Sequence, residues 1–376
     1  MILYLTHNDS PSGVYWGQVT DVVRFLNSID GPPVRLVALV SGRTYRSSRR
    51  QIRDHCRDAW VIPQAPSISR WWANAATLAG VCAWTRPSGI ICRGPFAADL
   101  ALGMRRRRLT KRVCFDGRGA YAAETEEFLA PGNEPWMQTV KRLEHDAIHS
   151  SDFRLAVSRA LVEYWRSHYD YAGEAQVIIP CTVSVPTDQS MASSTVQSAP
   201  AVALRGPRLV FSGGAAGWQS LGSLQPLLLN LLETQPNLSV LFLSRPDSGI
   251  AALAQRYPGR VDSRWVTVDK VHGELSGCDV GVMVRDDAVT NRVASPVKFA
   301  EYLSAGLRIL ISDHLGDYSD LVRRHELGWV CTPGQSLPRI TTVDSKERDR
   351  LRAFAASHLT KEAHRASYQR VVDCLS

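Results

Sequence analysis

The sequence predicts an α/β protein with two doubly wound parallel sheets, one in each half of the chain. Three observations carry that expectation. Short apolar runs alternate with longer amphipathic segments, and repeated strand–helix–strand units place parallel strands between layers of helices. The alternation is interrupted once, by a stretch rich in Ser, Ala, Pro and Thr and without periodicity. A length of 376 residues, at roughly 150 per domain, leaves room for two or three domains.

In chain order, the candidate strands of the first half are residues 2–5, 34–40, 59–62, 89–92, 112–116, 153–157 and 177–180. Helical stretches between them include WGQVTDVVRFLNSI and WMQTVKRLEHDAIH. The interrupting stretch reads as a linker. Strands are then expected at 208–213, 238–244, 261–268, 279–284 and 307–312, with helices in LQPLLLNLLET and SPVKFAEYLSAG. The organisation is therefore a Rossmann-like domain at 1–184, a linker at 185–206, a second Rossmann-like domain at 207–345, and a charged helical segment at 346–376 able to pack back on the first domain.

Composition narrows the class. Apolar residues are 44% and charged residues 21%, which excludes disorder, collagen and coiled coil as the overall type. No apolar run approaches the ~18 residues of a bilayer span. The opening MILYLTHND lacks a basic region before its apolar run, so it reads as a strand and not as a signal peptide. The eight cysteines are scattered with no C-x-x-C pair, which suggests reduced thiols and a cytoplasmic protein.

Net charge is +8, and 38 of the 44 basic residues are Arg. Two clusters stand out: Arg43, Arg46, Arg49, Arg50 and Arg53, and then Arg105, Arg106, Arg107, Arg108, Lys111 and Arg112. Such clusters suit an anionic membrane surface or a lipid-diphosphate, or they form a solvated basic face. No nucleic-acid-binding signature accompanies them, so DNA and RNA are not expected partners.

In open parallel sheets, ligands bind beyond the carboxyl ends of the strands. Arginine recurs at those ends, as at Arg43, Arg93, Arg118 and Arg285, which suggests an anionic ligand. The sharpest local motif is Ser295-Pro296-Val297-Lys298-Phe299-Ala300-Glu301-Tyr302-Leu303. Ser295 is a good N-cap and Pro296 suits the first helical position. Phe299 and Leu303 share an apolar face, and Gly306 ends the helix. The helix N-terminus and Lys298 offer positive charge to an anion, while Glu301 can accept hydrogen bonds from vicinal hydroxyls. The alternative is an exposed Lys–Glu pair at i, i+3.

The stretch from Asn291 to Gly306, with VTVDKVHGELSGCDVGVMVR before it, resembles the donor-binding region of GT-B glycosyltransferases of the family 4 type, closest to bacterial members that make surface polysaccharides. Ile91-Cys92-Arg93-Gly94, Phe115-Asp116-Gly117-Arg118-Gly119 and Leu155-Ala156-Val157-Ser158 resemble N-terminal segments of the same group. The resemblance implies two Rossmann-like domains facing a cleft and transfer of a sugar from a nucleotide-sugar donor to a saccharide, lipid-linked or other acceptor. It further implies retention of configuration; no cofactor is expected, and no metal is needed if Lys298, an Arg and the helix N–H groups supply the positive charge. The basic clusters would let a cytoplasmic protein sit at the inner face of the membrane. Lys298 would contact the diphosphate, helped by the helix start at Ser295, and Glu301 would hold the ribose. Gly13, Gly213 and Gly214 would let backbone approach the diphosphate. Asp116 and Arg118 would line the sugar or acceptor cleft.

Two positions depart from the family pattern. Val293 stands where many members have a first glutamate, leaving Asn291 or a backbone group as the sugar contact. The loop SGGAAGWQS lacks the usual phosphate-gripping Arg and Lys, leaving Arg285 to supply the charge.

Other constellations carry less. His145 and His149 are spaced as in H-E-x-x-H zinc sites but lack the Glu and a third ligand, so no metal site is expected. No G-x-S-x-G elbow is present. Trp71 and Trp72, with Ile68, form either an exposed apolar patch or part of the core. His7, at a strand end, reads as a solvated polar residue. Two rival functions remain: a nucleotide-sugar epimerase of the same fold, and a non-catalytic nucleotide-sugar-binding scaffold.

Overall fold

Two fully parallel sheets organise the chain. The computed structural model describes residues 1–64, 68–128, 132–183, 206–213, 221–332, 335 and 339–376. Except for Gly206, the expected linker lies outside the described residues, as does Gly214. The chain divides into two compact units, Met1–Ser184 with His364–Ser376, and Val185–Ala363.

The first unit holds strands β1 (Ile2–His7), β2 (Val34–Val40), β3 (Trp60–Pro63), β4 (Gly89–Arg93), β5 (Arg112–Gly117), β6 (Phe153–Ala156) and β7 (Gln176–Ile178), ordered β3-β2-β1-β4-β5-β6-β7. Helix α1 spans 13–26, a π-helical turn Trp16–Thr20 lying between α-helical Gly13–Tyr15 and Asp21–Leu26. The others are α2 (Tyr45–His55), α3 (Ala75–Thr85), α4 (Gly94–Arg106), α5 (Tyr121–Phe128), α6 (Glu134–Ser150) and α7 (Arg159–Tyr169). Strand β1, ILYLTH, is buried along its whole length, as a central parallel strand covered on both faces requires.

The second unit holds β8 (Arg208–Ser212), β9 (Ser239–Leu243), β10 (Val261–Arg264), β11 (Val280–Met283), β12 (Arg308–Ser312) and β13 (Gly328–Cys331), ordered β10-β9-β8-β11-β12-β13. Its helices are α8 (Leu221–Thr234), α9 (Ser248–Arg256), α10 (Val268–Ser276), α11 (Val289–Arg292), α12 (Val297–Ser304), α13 (Tyr318–His325) and α14 (Ser345–His358). The last helix, α15 (Arg365–Leu375), belongs to the first unit, where Tyr368, Val371, Val372 and Leu375 join the core around Ile2, Tyr4 and Val19.

Two elements correct the sequence reading. The apolar run at 261–268 is not one strand: β10 ends at Arg264, and Val268 opens α10 behind the N-cap Thr267. Strand β13, only GWVC, was not anticipated, because four half-buried residues carry no readable period.

Both sheet orders reverse direction at their first strand, between β1 and β4 and between β8 and β11. A parallel α/β sheet opens a crevice at such a reversal, beyond the strand ends. Two glycines shape the second crevice. A side chain on Gly281 of β11 would strike the Tyr302 ring, so glycine there lets Tyr302 lie against the strand. The Tyr302 hydroxyl then accepts from the Ser212 N–H at 2.8 Å and fixes the end of β8. Gly306, at φ +81°, closes α12 in a Schellman motif: its N–H reaches the Leu303 carbonyl and the Leu307 N–H the Tyr302 carbonyl, both at 3.0 Å.

Candidate functional site

In the second unit, the crevice between β8 and β11 is bordered by Gly213, just after β8, and Arg285, just after β11. The Gly213 N–H donates to the Leu243 carbonyl at 3.3 Å, which holds the loop start against β9. Arg285 is 9% exposed. Its main chain is clamped: Ser312 Oγ accepts from its N–H at 2.8 Å and donates to its carbonyl at 3.0 Å, and His314 Nε2 lies 3.2 Å from the same carbonyl. The guanidinium donates from Nη1 to Asn291 Oδ1 at 3.3 Å. Among the described residues it forms no ion pair with a carboxylate, and burial pushes its pKa down to about 10. It is still charged at neutral pH, a buried cation whose side-chain hydrogen-bond partner among the described residues is neutral. A cation held this way gains most from an incoming anion.

Asn291, expected to face a sugar, is fully buried and serves Arg285 instead, its Nδ2 donating to the Asp286 carbonyl at 3.0 Å. Val293, in the place of a carboxylate, is buried. Ser295 is not the cap of α12. The cap position falls on Pro296, in extended conformation, and Ser295 Oγ bonds the Tyr318 hydroxyl at 2.8 Å. Tyr318 also stacks on Phe299, with ring centroids 3.9 Å apart, so one residue of α13 contacts both the approach to α12 and its first turn. Lys298 sits in the first turn of α12, and its Nζ lies 2.7 Å from Glu301 Oε2, with the two side chains 25% and 29% exposed. The two neutralise one another here, which is the alternative reading of the motif. A ligand must part them to engage either.

In the first unit, the crevice between β1 and β4 is bordered by His7 and Arg93. Strand alternation sends Tyr4 and Thr6 to the α1 face and His7 to the α4 face. Asp116 is fully buried and does not line an open surface. It accepts from the Tyr4 hydroxyl at 2.5 Å, and the Arg118 fork meets both its oxygens, Nε at 2.8 Å and Nη2 at 3.1 Å. Arg118 also donates to Gln18 Oε1 at 3.3 Å, and Gln18 Nε2 donates to the Thr182 carbonyl at 2.9 Å. The cluster ties α1 to β5. Gly13 is an exposed residue at the start of α1.

His7 is buried and not solvated, and burial pushes its pKa down to about 4. Asn74 Nδ2 donates to its Nε2 at 3.3 Å, so the ring proton rests on Nδ1. That Nδ1 and Arg93 Nη1 are buried with no hydrogen-bond partner among the described residues, although Arg93 Nε lies 3.7 Å from Asp9. Two such atoms beside one crevice point to a polar ligand. The strand-end rule marks both positions in the sequence. Tyr4 and Gln18, which hold Asp116 and Arg118, carry no such signal, because only the folded sheet brings them there.

The remaining expectations resolve individually. His149 Nε2 is spent on the Tyr169 carbonyl at 2.6 Å. Trp71 is buried, donating to Asp99 Oδ2 at 2.8 Å, whereas Trp72 is 60% exposed. Arg105 pairs with Asp152 at 2.7 Å. All eight cysteines are free thiols, and burial pushes Cys82, Cys278 and Cys331 up to about 12. Among the described residues, no helix is long and apolar enough to cross a membrane.

No family model matches the chain, and no curated protein matches it in sequence. Solved structures do match, along the whole chain. HepE of Anabaena, in complex with UDP and glucose, is 13% identical with a TM-score of 0.67, the alignment covering 100% of this chain and 98% of that one. Sucrose-phosphate synthase of Thermosynechococcus elongatus is 13% identical with a TM-score of 0.68, covering 100% and 99%. The lipopolysaccharide outer core galactosyltransferase WaaB, in its apo form, is 14% identical with a TM-score of 0.63, covering 100% and 94%. At these identities the likeness is one of fold alone, the two Rossmann-like domains of the GT-B fold.

Proposed function

We propose that this chain is a glycosyltransferase, moving a sugar from a nucleotide-sugar donor to a saccharide or lipid-linked acceptor with retention of configuration. One observation carries the reading: the buried, clamped Arg285, without a carboxylate partner among the described residues, at the strand reversal of the second sheet. A fixed cation in a desolvated setting suits a diphosphate, whose charge grows as it leaves. The N–H groups at the start of α12 and the Lys298 ammonium, once released from Glu301, add to that field. Glu301, released in turn, is able to hold the ribose hydroxyls. Because HepE was solved with UDP and glucose, UDP-sugars are the donors to test first.

In the reaction, the bond between the sugar's anomeric carbon and the diphosphate oxygen breaks, and the diphosphate keeps the electron pair. The acceptor hydroxyl oxygen bonds to that carbon and yields its proton to the leaving phosphate.

Titration with UDP and turnover of UDP-sugars test the reading. Arg285→Gln should weaken UDP binding by about tenfold or more and cut turnover by about 10²–10³-fold, since one charged donor to the leaving group is lost. Lys298→Ala should act in the same direction. Gln can still donate to Asn291, and an isolated buried charge disappears, so the thermal midpoint of Arg285→Gln without ligand should not fall. Wild-type affinity and turnover in both variants would remove the basis of this assignment.

A further inference from the structure

A groove of about 300 Å³ runs along β3, the edge strand of the first sheet. Arg49 and Arg53, one turn apart on α2, line it together with Trp60 of β3, Trp84 of α3 and Tyr45. The Trp60 and Trp84 rings stand 5.4 Å apart at 37°, and the Arg35 guanidinium lies 4.7 Å over Trp60, bracing that ring. Trp84 is 77% exposed, although it lies in an otherwise ordinary helix. Among the described residues, neither the Arg49 nor the Arg53 guanidinium has an ion-pair or hydrogen-bond partner. Strand β2 separates the groove from β1, so it is distinct from the crevice bordered by His7 and Arg93.

We infer that this groove binds an anionic saccharide chain, apart from the site of transfer. Its chemistry has two parts. Aromatic faces offer flat apolar surface to the C–H face of a pyranose, with the sugar's polar rim left in water. Guanidinium forks match a carboxylate or phosphate, and two on one wall select negative charge. The site is an open groove of mixed polar and apolar character, a lining that suits a chain carrying both hydroxyls and apolar C–H faces. The choice of a saccharide over other anions rests on the glycosyl-transfer reading, in which the substrate is itself a saccharide; the groove would keep a growing or lengthy acceptor near the enzyme.

The test uses the full chain, with galacturonate hexamer as the anionic probe, neutral maltohexaose as its counterpart, and tryptophan fluorescence and calorimetry as readouts. The hexauronate should bind and change the fluorescence. Its affinity should fall about tenfold in W84A and again in R49Q/R53Q, and stay unchanged in R106Q/R107Q, which removes equal charge elsewhere. Maltohexaose should bind at least tenfold more weakly. No hexauronate binding, an equal loss in R106Q/R107Q, or no effect of W84A would overturn the inference. So would groove-dependent capture of phosphatidylglycerol vesicles or oligothymidylate in place of the saccharide. UDP titration of the same samples separates the two readings. UDP binding without hexauronate binding defeats the groove alone. Hexauronate held in the groove without UDP binding defeats the transferase assignment and leaves the groove.

Discussion

Glu144 is fully buried in α6, where it accepts from the Tyr121 and Ala122 N–H groups at 2.9 and 2.8 Å and from the Tyr169 hydroxyl at 2.9 Å. Those bonds favour the ionised form, yet burial outweighs them and raises its pKa to about 7. Between the ordinary carboxylate range and pH 7, the unfolded chain has released this proton and the folded chain has not. Its contribution to stability is therefore full below about pH 4.5 and declines as pH rises towards 7. Glu144→Gln should lower stability overall, because one acceptor oxygen is lost, and flatten this part of the profile. Unfolding midpoints of both proteins across that window check it; parallel profiles would contradict the argument. Arg285 follows the same logic with the opposite charge: burial lowers its pKa to about 10, and an anion would raise it again. Lys298 and Glu301 differ in kind, since partial exposure and a mutual bond cost little to break.

At the scale of elements, α12 shows how one short helix sets a site. Its start is fixed by Pro296 and the Tyr318–Phe299 stack, its body by Tyr302 lying against Gly281, and its end by Gly306. The left-handed conformation at Gly306 costs any residue with a Cβ about 1–2 kcal/mol, and a Cβ there would also come within 3.0 Å of the Arg348 side chain. Gly306→Ala should destabilise the protein by at least that amount in chemical denaturation. An unchanged midpoint would mean that the end of α12 tolerates another cap. The i, i+3 spacing of Lys298 and Glu301 and the terminal Gly306 were legible in the sequence. The cap was not, because the Ser295 hydroxyl meets Tyr318 of α13, a partner distant in sequence. In α1, the π-helical turn places Gln18 towards Arg118, and nothing local in WGQVT announces it.

For the whole molecule, the return of α15 to the first unit makes the end of the chain part of a core. Leu375 is fully buried, and its side chain fills the space beside Gly89. Leu375→Ala should therefore cost about 2–5 kcal/mol, the toll of a central leucine, and not the few tenths of a frayed terminus. Urea unfolding measures it, and a loss below about 0.5 kcal/mol would place α15 outside the cooperative unit. By itself the sequence determined two parallel α/β sheets, the order of nearly all their strands along the chain, and the strand ends at which His7, Arg93, Gly213 and Arg285 stand, because hydrophobic period and strand polarity are local properties. Only the tertiary structure decided which strands reverse the sheet order, that Asp116 is sealed by Tyr4 and Arg118, that Lys298 meets Glu301, and that Arg285 is a buried cation with a neutral partner. Burial and pairing depend on neighbours distant in sequence, and so does the charge a side chain can offer to a ligand.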